Sequence, residues 1–130
     1  MNIEHFAINV ADPVAMAAWY VQHLGLRIVR SLDAAPFTHF LADTSGHTVV
    51  EIYGHAKAPV PDYRTMDPLL FHIAFSVTDV AVELQRLLAA GASRAGEINV
   101  TSAGDEMVFL RDPWGVALQL VKRAKPLMGR

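Results

Sequence analysis

Hydrophobic and polar positions alternate with a period of two along "EHFAINV" and again along "FHIAFSV". Phe6, Ile8 and Val10 share one side of the first segment, with His5, Ala7 and Asn9 on the other. Phe71, Ile73, Phe75 and Val77 likewise oppose His72, Ala74 and Ser76. Such alternation predicts strands over Ile3–Val10 and Leu70–Val77. After each strand the period lengthens to that of an amphipathic helix. Asp12 is placed to cap the first helix, Pro13 suits its first turn, and Gly25 ends it after about Leu24. Asp79 is placed to cap the second, which runs to about Ala90 and stops at Gly91. Further strands are expected near Arg27–Leu32, Phe37–Ala42 and Thr48–Tyr53, and near Ser93–Ile98, Met107–Arg111 and Ala117–Lys122, with "DAAP", "DTSG" and "DPWG" as turns.

The two halves keep one register. His5 and His72, Val10 and Val77, and Asp12 and Asp79 are each 67 residues apart. Asp43 and Asp112, and Gly46 and Gly115, are 69 apart; Glu51 and Gln119 are 68 apart. A register held within two residues over that span indicates a duplicated unit. The expected fold is α+β: two tandem βαβββ modules forming a curved, mixed-sheet cup with helices on its outer face. Residues 1–130 are read as one domain, with module 1 at about 1–55, a proline-rich linker at about 56–68 and module 2 at about 69–124. The tail "AKPLMGR" is expected to fray or to lie along a partner.

Composition narrows the function. A chain of 130 residues, 52% hydrophobic, suits a compact domain with a sizeable core. Its net charge of −2, without a basic stripe, leaves no footprint for nucleic acid. No cysteine is present, which excludes disulfides and thiolate metal sites and fits a cytoplasmic location. No apolar run approaches the roughly 18 residues of a membrane span, and no phosphate-cradling glycine motif follows a strand.

The chemistry lies on the sparsely apolar faces. The bulky faces should lie under the helices, leaving the faces with His5 and His72 to line a cavity. Glu51 shares its strand face with Val49 and Tyr53; Gln119 shares its face with Ala117 and Val121. The repeat therefore offers two equivalent pairs, His5 with Glu51 and His72 with Gln119. If both sheets curl about one pseudo-axis, four donors from four strands can meet around one divalent ion such as zinc, nickel, iron or manganese. A metal-free polar network is the alternative, since a lone strand histidine is more often a structural hydrogen bonder. Asn9, Tyr53 and Ser76 are substrate-contact candidates from face alone. His39 shares a face with Phe37 and Leu41 and is expected to be a buried hydrogen bonder. His23, His47 and His55, at a helix end, a turn and the linker, are expected to be exposed. At least one of Trp19 and Tyr20 should serve the core, while Trp114 sits in a turn.

His5 in "EHFAINVAD", Glu51 in "VVEIYG", His72 in "FHIAFSVTD" and position 119 in "DPWGVALQL" resemble the ligand-strand signatures of the vicinal oxygen chelate superfamily. This group includes glyoxalase I, bleomycin-resistance proteins, fosfomycin-resistance transferases, methylmalonyl-CoA epimerase and extradiol dioxygenases. The resemblance spans Ile3 to about Lys122. It implies paired βαβββ modules, a homodimer, and one divalent metal on His5, Glu51, His72 and Gln119 that chelates adjacent oxygens of a small molecule.

Gln119 departs from the pattern, which carries glutamate there in most metal-using members. An amide cannot take a proton near neutral pH, so Glu51 becomes the candidate base. A divalent ion with one ionised glutamate keeps a net charge of 2 − 1 = +1, where two glutamates would leave none. That residue of charge favours an anionic oxygen. The expected function is a glyoxalase-like lyase, isomerase or dioxygenase whose metal stabilises an oxyanion of a small, oxygen-rich, anionic substrate. The alternative is a non-catalytic small-molecule or antibiotic-binding protein of the bleomycin-resistance type. Substrate choice is expected to come from Gly54–Pro68 and the loops around Gly96–Asp105.

Overall fold

The computed structural model describes residues 1–47 and 49–128. The chain divides into two compact units, Met1–Pro61 and Asp62–Arg130, so the division falls inside the expected linker. The fold is α+β: two βαβββ modules, each a curved mixed sheet with a helix on one face.

In the first unit, β1 (Phe6–Asn9) leads to α1 (Pro13–Leu24), then β2 (Arg27–Ser31), β3 (His39–Ala42) and β4 (Val49–Tyr53). Asp12 ends the extended chain and accepts from the Ala15 N–H, satisfying one of the donors a helix start leaves open. Gly25, at φ 72°, closes α1 in the left-handed region. Sheet order is β1-β4-β3-β2, with β1 parallel to β4 and the other pairs antiparallel. Met16, Ala17, Trp19 and Tyr20 of α1 are buried, as are Leu41, Val50 and Ile52 of the sheet face beneath it. Burial of each large side chain contributes about 1.5–3 kcal/mol. Both Trp19 and Tyr20 thus serve the core.

The second unit holds β5 (Ile73–Ser76), α2 (Val80–Ala89), β6 (Ser93–Arg94), β7 (Asn99–Val100), β8 (Glu106–Arg111) and β9 (Ala117–Lys122). Asp79 caps α2 by accepting from the Val82 N–H. Order is β5-β9-β8-β6, with β7 also on β8. Val80, Leu84 and Leu87 of α2 are buried with Val108, Leu110, Leu118 and Leu120.

The duplication is exact at the level of the ladder. Ala7 pairs with Glu51 in the parallel β1–β4 ladder, and Ala74 pairs with Gln119 in β5–β9. The next ladder bonds also match: Val10 N–H to Tyr53 O at 2.8 Å, and Val77 N–H to Val121 O at 2.9 Å. Both Asp-x-x-Gly turns close by the glycine N–H donating to the aspartate carbonyl, with Gly46 and Gly115 at φ 74° and 94°.

Several strands are shorter than the alternation predicts. Among the described residues the β1–β4 pairing begins at Phe6 opposite Val50, so the strand starts three residues later than the alternation predicts. Leu70 N–H donates to Asp67 O and Leu69 N–H to the Asp67 carboxylate, which holds that stretch as a turn until Ile73. Phe37, at φ 55°, lies in the left-handed region and delays β3 to His39. The expected strand Ser93–Ile98 is interrupted: Ser93–Arg94 pairs with the end of β8, and Asn99–Val100 with its start. Gly96 offers no side chain to the sheet in the intervening stretch, and Arg94 pairs with Glu97 across it. Thr48, the expected start of β4, and Gly129 and Arg130 of the tail lie outside the described residues.

Candidate metal centre

His5 stands one residue ahead of β1, and His72 one residue ahead of β5. Each therefore enters its sheet at the same place, on the face opposite the helix. His5 Nε2 lies 3.0 Å from Glu51 Oε2. The other ring nitrogen, Nδ1, donates to the Glu4 carboxylate. In the second unit, His72 Nδ1 donates to the Pro68 carbonyl at 2.8 Å. Carboxylate and carbonyl oxygens only accept, so both rings carry hydrogen on Nδ1. When neutral, each presents the Nε2 lone pair. That is the tautomer a metal-binding imidazole adopts when an oxygen orients its far side.

The surroundings repeat as well. The His5 ring meets Phe40 edge-to-face at 5.8 Å, and His72 meets Phe109 in the same way at 5.1 Å. Phe40 lies directly opposite Glu51 on β3, and Phe109 directly opposite Gln119 on β8. Phe40 and Phe109 are 69 residues apart, the offset of Asp43 and Asp112, so the repeat could have revealed these partners. Sequence reasoning missed them, and it missed the Glu4 and Pro68 oxygens.

Electrostatics favour positive charge on His5. The Glu4 carboxylate on Nδ1 is the main cause of a pKa raised above the usual 6.5, with Glu51 adding to it. Without a metal, the proton that an imidazolium would place on Nε2 lies between His5 and Glu51. A cation in that place would meet a nitrogen and a carboxylate oxygen already turned towards each other. These two donors are of the types that bind a divalent ion of the borderline class.

Gln119 is buried, at 8% exposure, and its Nε2 lies 3.6 Å from Met107 Sδ. With the amide nitrogen on sulfur, a weak acceptor, the amide oxygen is the stronger donor to offer an ion. Among the described residues no three His, Cys, Asp or Glu side chains are grouped closely enough to hold an ion. The candidate ligands divide as two in each unit, and Gln119 is not of those types.

The remaining candidates have distinct placements. Asn9 holds the loop after β4: its Oδ1 accepts from the His55 N–H at 2.7 Å, and its Nδ2 faces the carbonyls of His55, Ala58 and Pro59 at 3.1–3.3 Å. Tyr53 is half-buried and meets the His55 ring edge-to-face at 4.7 Å. Ser76 is exposed and, with Ala74, Val121 and Leu127, borders a cavity of about 640 Å³ in the second unit. His39 is a buried hydrogen bonder, its Nδ1 donating to Phe37 O at 2.6 Å on the Leu41 face. His47 and His55 are exposed, whereas His23 is half-buried against Trp19. Trp114 is half-buried, its N–H donating to the buried Asp112 carboxylate. The loop 63–66 is fixed to the second unit by Arg111, which donates to the carbonyls of Tyr63 and Met66 at 2.8 and 2.9 Å.

No helix among the described residues is long and apolar enough to cross a membrane. Solved structures share the fold. A glyoxalase family protein from Bacillus cereus superposes with a TM-score of 0.78 at 17% identity, covering 95% of this chain and 94% of that one. One from Enterococcus faecalis gives 0.71 at 27% identity, covering 93% and 97%. TnmS3, an antibiotic-binding protein from Streptomyces sp. CB03234, gives 0.70 at 16% identity, covering 95% and 97%. No curated protein matches the sequence significantly. The family model for the Glyoxalase/Bleomycin resistance protein/Dioxygenase superfamily matches residues 2–120, nearly the whole chain, and the protein belongs to that superfamily.

Proposed function

We propose that the protein is a metal-dependent enzyme of the glyoxalase-like group, acting as a lyase, isomerase or dioxygenase on a small, oxygen-rich substrate. His5, Glu51, His72 and Gln119 would hold one divalent ion, within one chain or across a homodimer. The observation that carries this reading is the repeated orientation of the two imidazoles. Each has its Nδ1 engaged by an oxygen, which leaves Nε2 as the nitrogen for an ion, and the His5 Nε2 lies 3.0 Å from a Glu51 oxygen. When bound, the ion would supply Lewis acidity toward adjacent oxygens of the substrate.

The chain's own residues divide the remaining work. Glu51 is the proton acceptor, because Gln119 cannot hold a proton at neutral pH. Glu4 and the Pro68 carbonyl keep the two rings in orientation. Phe40 and Phe109 wall the histidines with apolar surface and reduce competition from water for the ligand positions. Gln119, being neutral, leaves one positive charge on the centre, which favours substrates that present an anionic oxygen.

The rival reading is a binding protein that sequesters a small molecule. It draws support from the neutral side chain at position 119 and from the aromatic walls. Replacing Gln119 by glutamate separates the two readings. In the enzyme reading, Gln119→Glu adds a carboxylate to the ion, and zinc affinity rises about tenfold or more. A thermal-shift titration with zinc and a chelator reads this directly. A binding protein without a metal shows no zinc-dependent shift in either form.

A further inference from the structure

The face that carries His5 and Glu51 continues across two more strands. Phe40 pairs with Glu51 in the β3–β4 ladder, and Arg30 pairs with Phe40 in the β2–β3 ladder. Directly opposed residues share a face, so Glu51, Phe40 and Arg30 form one row. Strands lie about 4.8 Å apart, which puts the Cα of Arg30 about 10 Å from that of Glu51. The Arg30 guanidinium lies over the Phe40 ring, 6.0 Å from its centroid, while His5 meets the same ring edge-on at 5.8 Å. Arg30 is exposed and makes no ion pair among the described residues. The row therefore begins with nitrogen and oxygen donors, passes over an aromatic ring, and ends in a guanidinium with no anion.

We infer that Arg30 recognises a carboxylate at the far end of the substrate, and that the substrate class is a planar or aromatic acid whose vicinal oxygens would meet the ion held by His5 and Glu51 while its ring lies along Phe40. This rests on the reading of His5 and Glu51 as metal ligands. A guanidinium held over a ring keeps its N–H fork free in the plane, the geometry that takes a carboxylate through two parallel bonds. The cation–π contact limits the rotamers of a side chain that would otherwise wander from an edge strand. Arg30 is thus a specificity residue and takes no part in proton transfer.

The test compares 3,4-dihydroxybenzoate with its methyl ester, two probes with the same vicinal oxygens but an anionic and a neutral far end. Zinc-loaded protein avoids redox turnover of either. Wild type should bind the acid about tenfold more tightly than the ester. Arg30→Gln should abolish that preference by weakening the acid alone, and Arg30→Lys should retain part of it. Zinc affinity and far-UV circular dichroism should be unchanged in both variants, since Arg30 is exposed on an edge strand. A preference that survives in Arg30→Gln, or is missing in wild type, overturns the inference. Should zinc leave ester binding unaffected, the metal reading falls, and benzoate against methyl benzoate on zinc-free protein then decides the role of Arg30. A benzoate preference lost in Arg30→Gln supports it; no preference, or an unaltered one, overturns it.

Discussion

His5 holds a proton more readily than an isolated imidazole because Glu4 accepts from its Nδ1 and Glu51 stands 3.0 Å from its Nε2. A metal bound there, as proposed, would compete with the proton for that Nε2. In metal-free protein the raised pKa means that His5 contributes stability fully below the unfolded value near 6.5, and that the contribution is lost as pH rises through the folded pKa. Nuclear magnetic resonance titration of the metal-free protein should place the His5 ring above 6.5, and Glu4→Gln should bring it down. A His5 titrating at or below 6.5, or one indifferent to Glu4→Gln, would contradict the role given to Glu4. Individual ligand candidates were legible in the sequence because the repeat singled them out. Their oxygen partners were not: Glu4 is an exposed neighbour that alternation places on the opposite strand face, and the Pro68 carbonyl is a backbone atom with no sequence signature. The face of Asn9 was legible but its contacts were not, since its carboxamide meets the 55–59 loop, 46–50 residues onward.

At the scale of elements, local chemistry was readable and partner-dependent chemistry was not. Asp12, Pro13 and Gly25 set the limits of α1 by contacts within a few residues, and those limits are where the sequence places them. The start of β1 follows its distant partner β4, whereas β3 and β5 are shortened by the left-handed Phe37 and by the turn at Asp67, neither of which the alternation reveals. The two Asp-x-x-Gly turns show how equivalent elements have diverged. Both glycines have positive φ, which strains any other residue. Among the described residues a Cβ on Gly46 would meet only Arg27 Nη2, at 4.0 Å, whereas one on Gly115 would lie 2.9 Å from the Arg64 backbone nitrogen and 3.0 Å from its Cα. Gly46→Ala should therefore cost about 1 kcal/mol, the left-handed strain alone. Gly115→Ala adds the displacement of the loop at Arg64 and should cost about 3 kcal/mol or more. Urea denaturation of both variants checks this; equal losses would show that the loop yields without penalty.

For the whole molecule, the duplicated register leads from sequence to function. One ladder alignment, Ala7 opposite Glu51 and Ala74 opposite Gln119, recurs with a histidine edge-to-face on a phenylalanine in each unit, while only His5 meets its partner side chain, Glu51. Superfamily membership accounts for the fold. The divergence between the halves, Glu51 against Gln119 and Arg30 on one sheet, carries the proposed chemistry. Joining the two pairs around a single ion is the central claim, and a zinc titration by calorimetry on wild type, His5→Ala and His72→Ala tests it most directly. The account predicts one ion per chain in wild type and loss of high-affinity binding in each variant separately, because the proposed centre needs both histidines. Unchanged stoichiometry and affinity in both variants would contradict it.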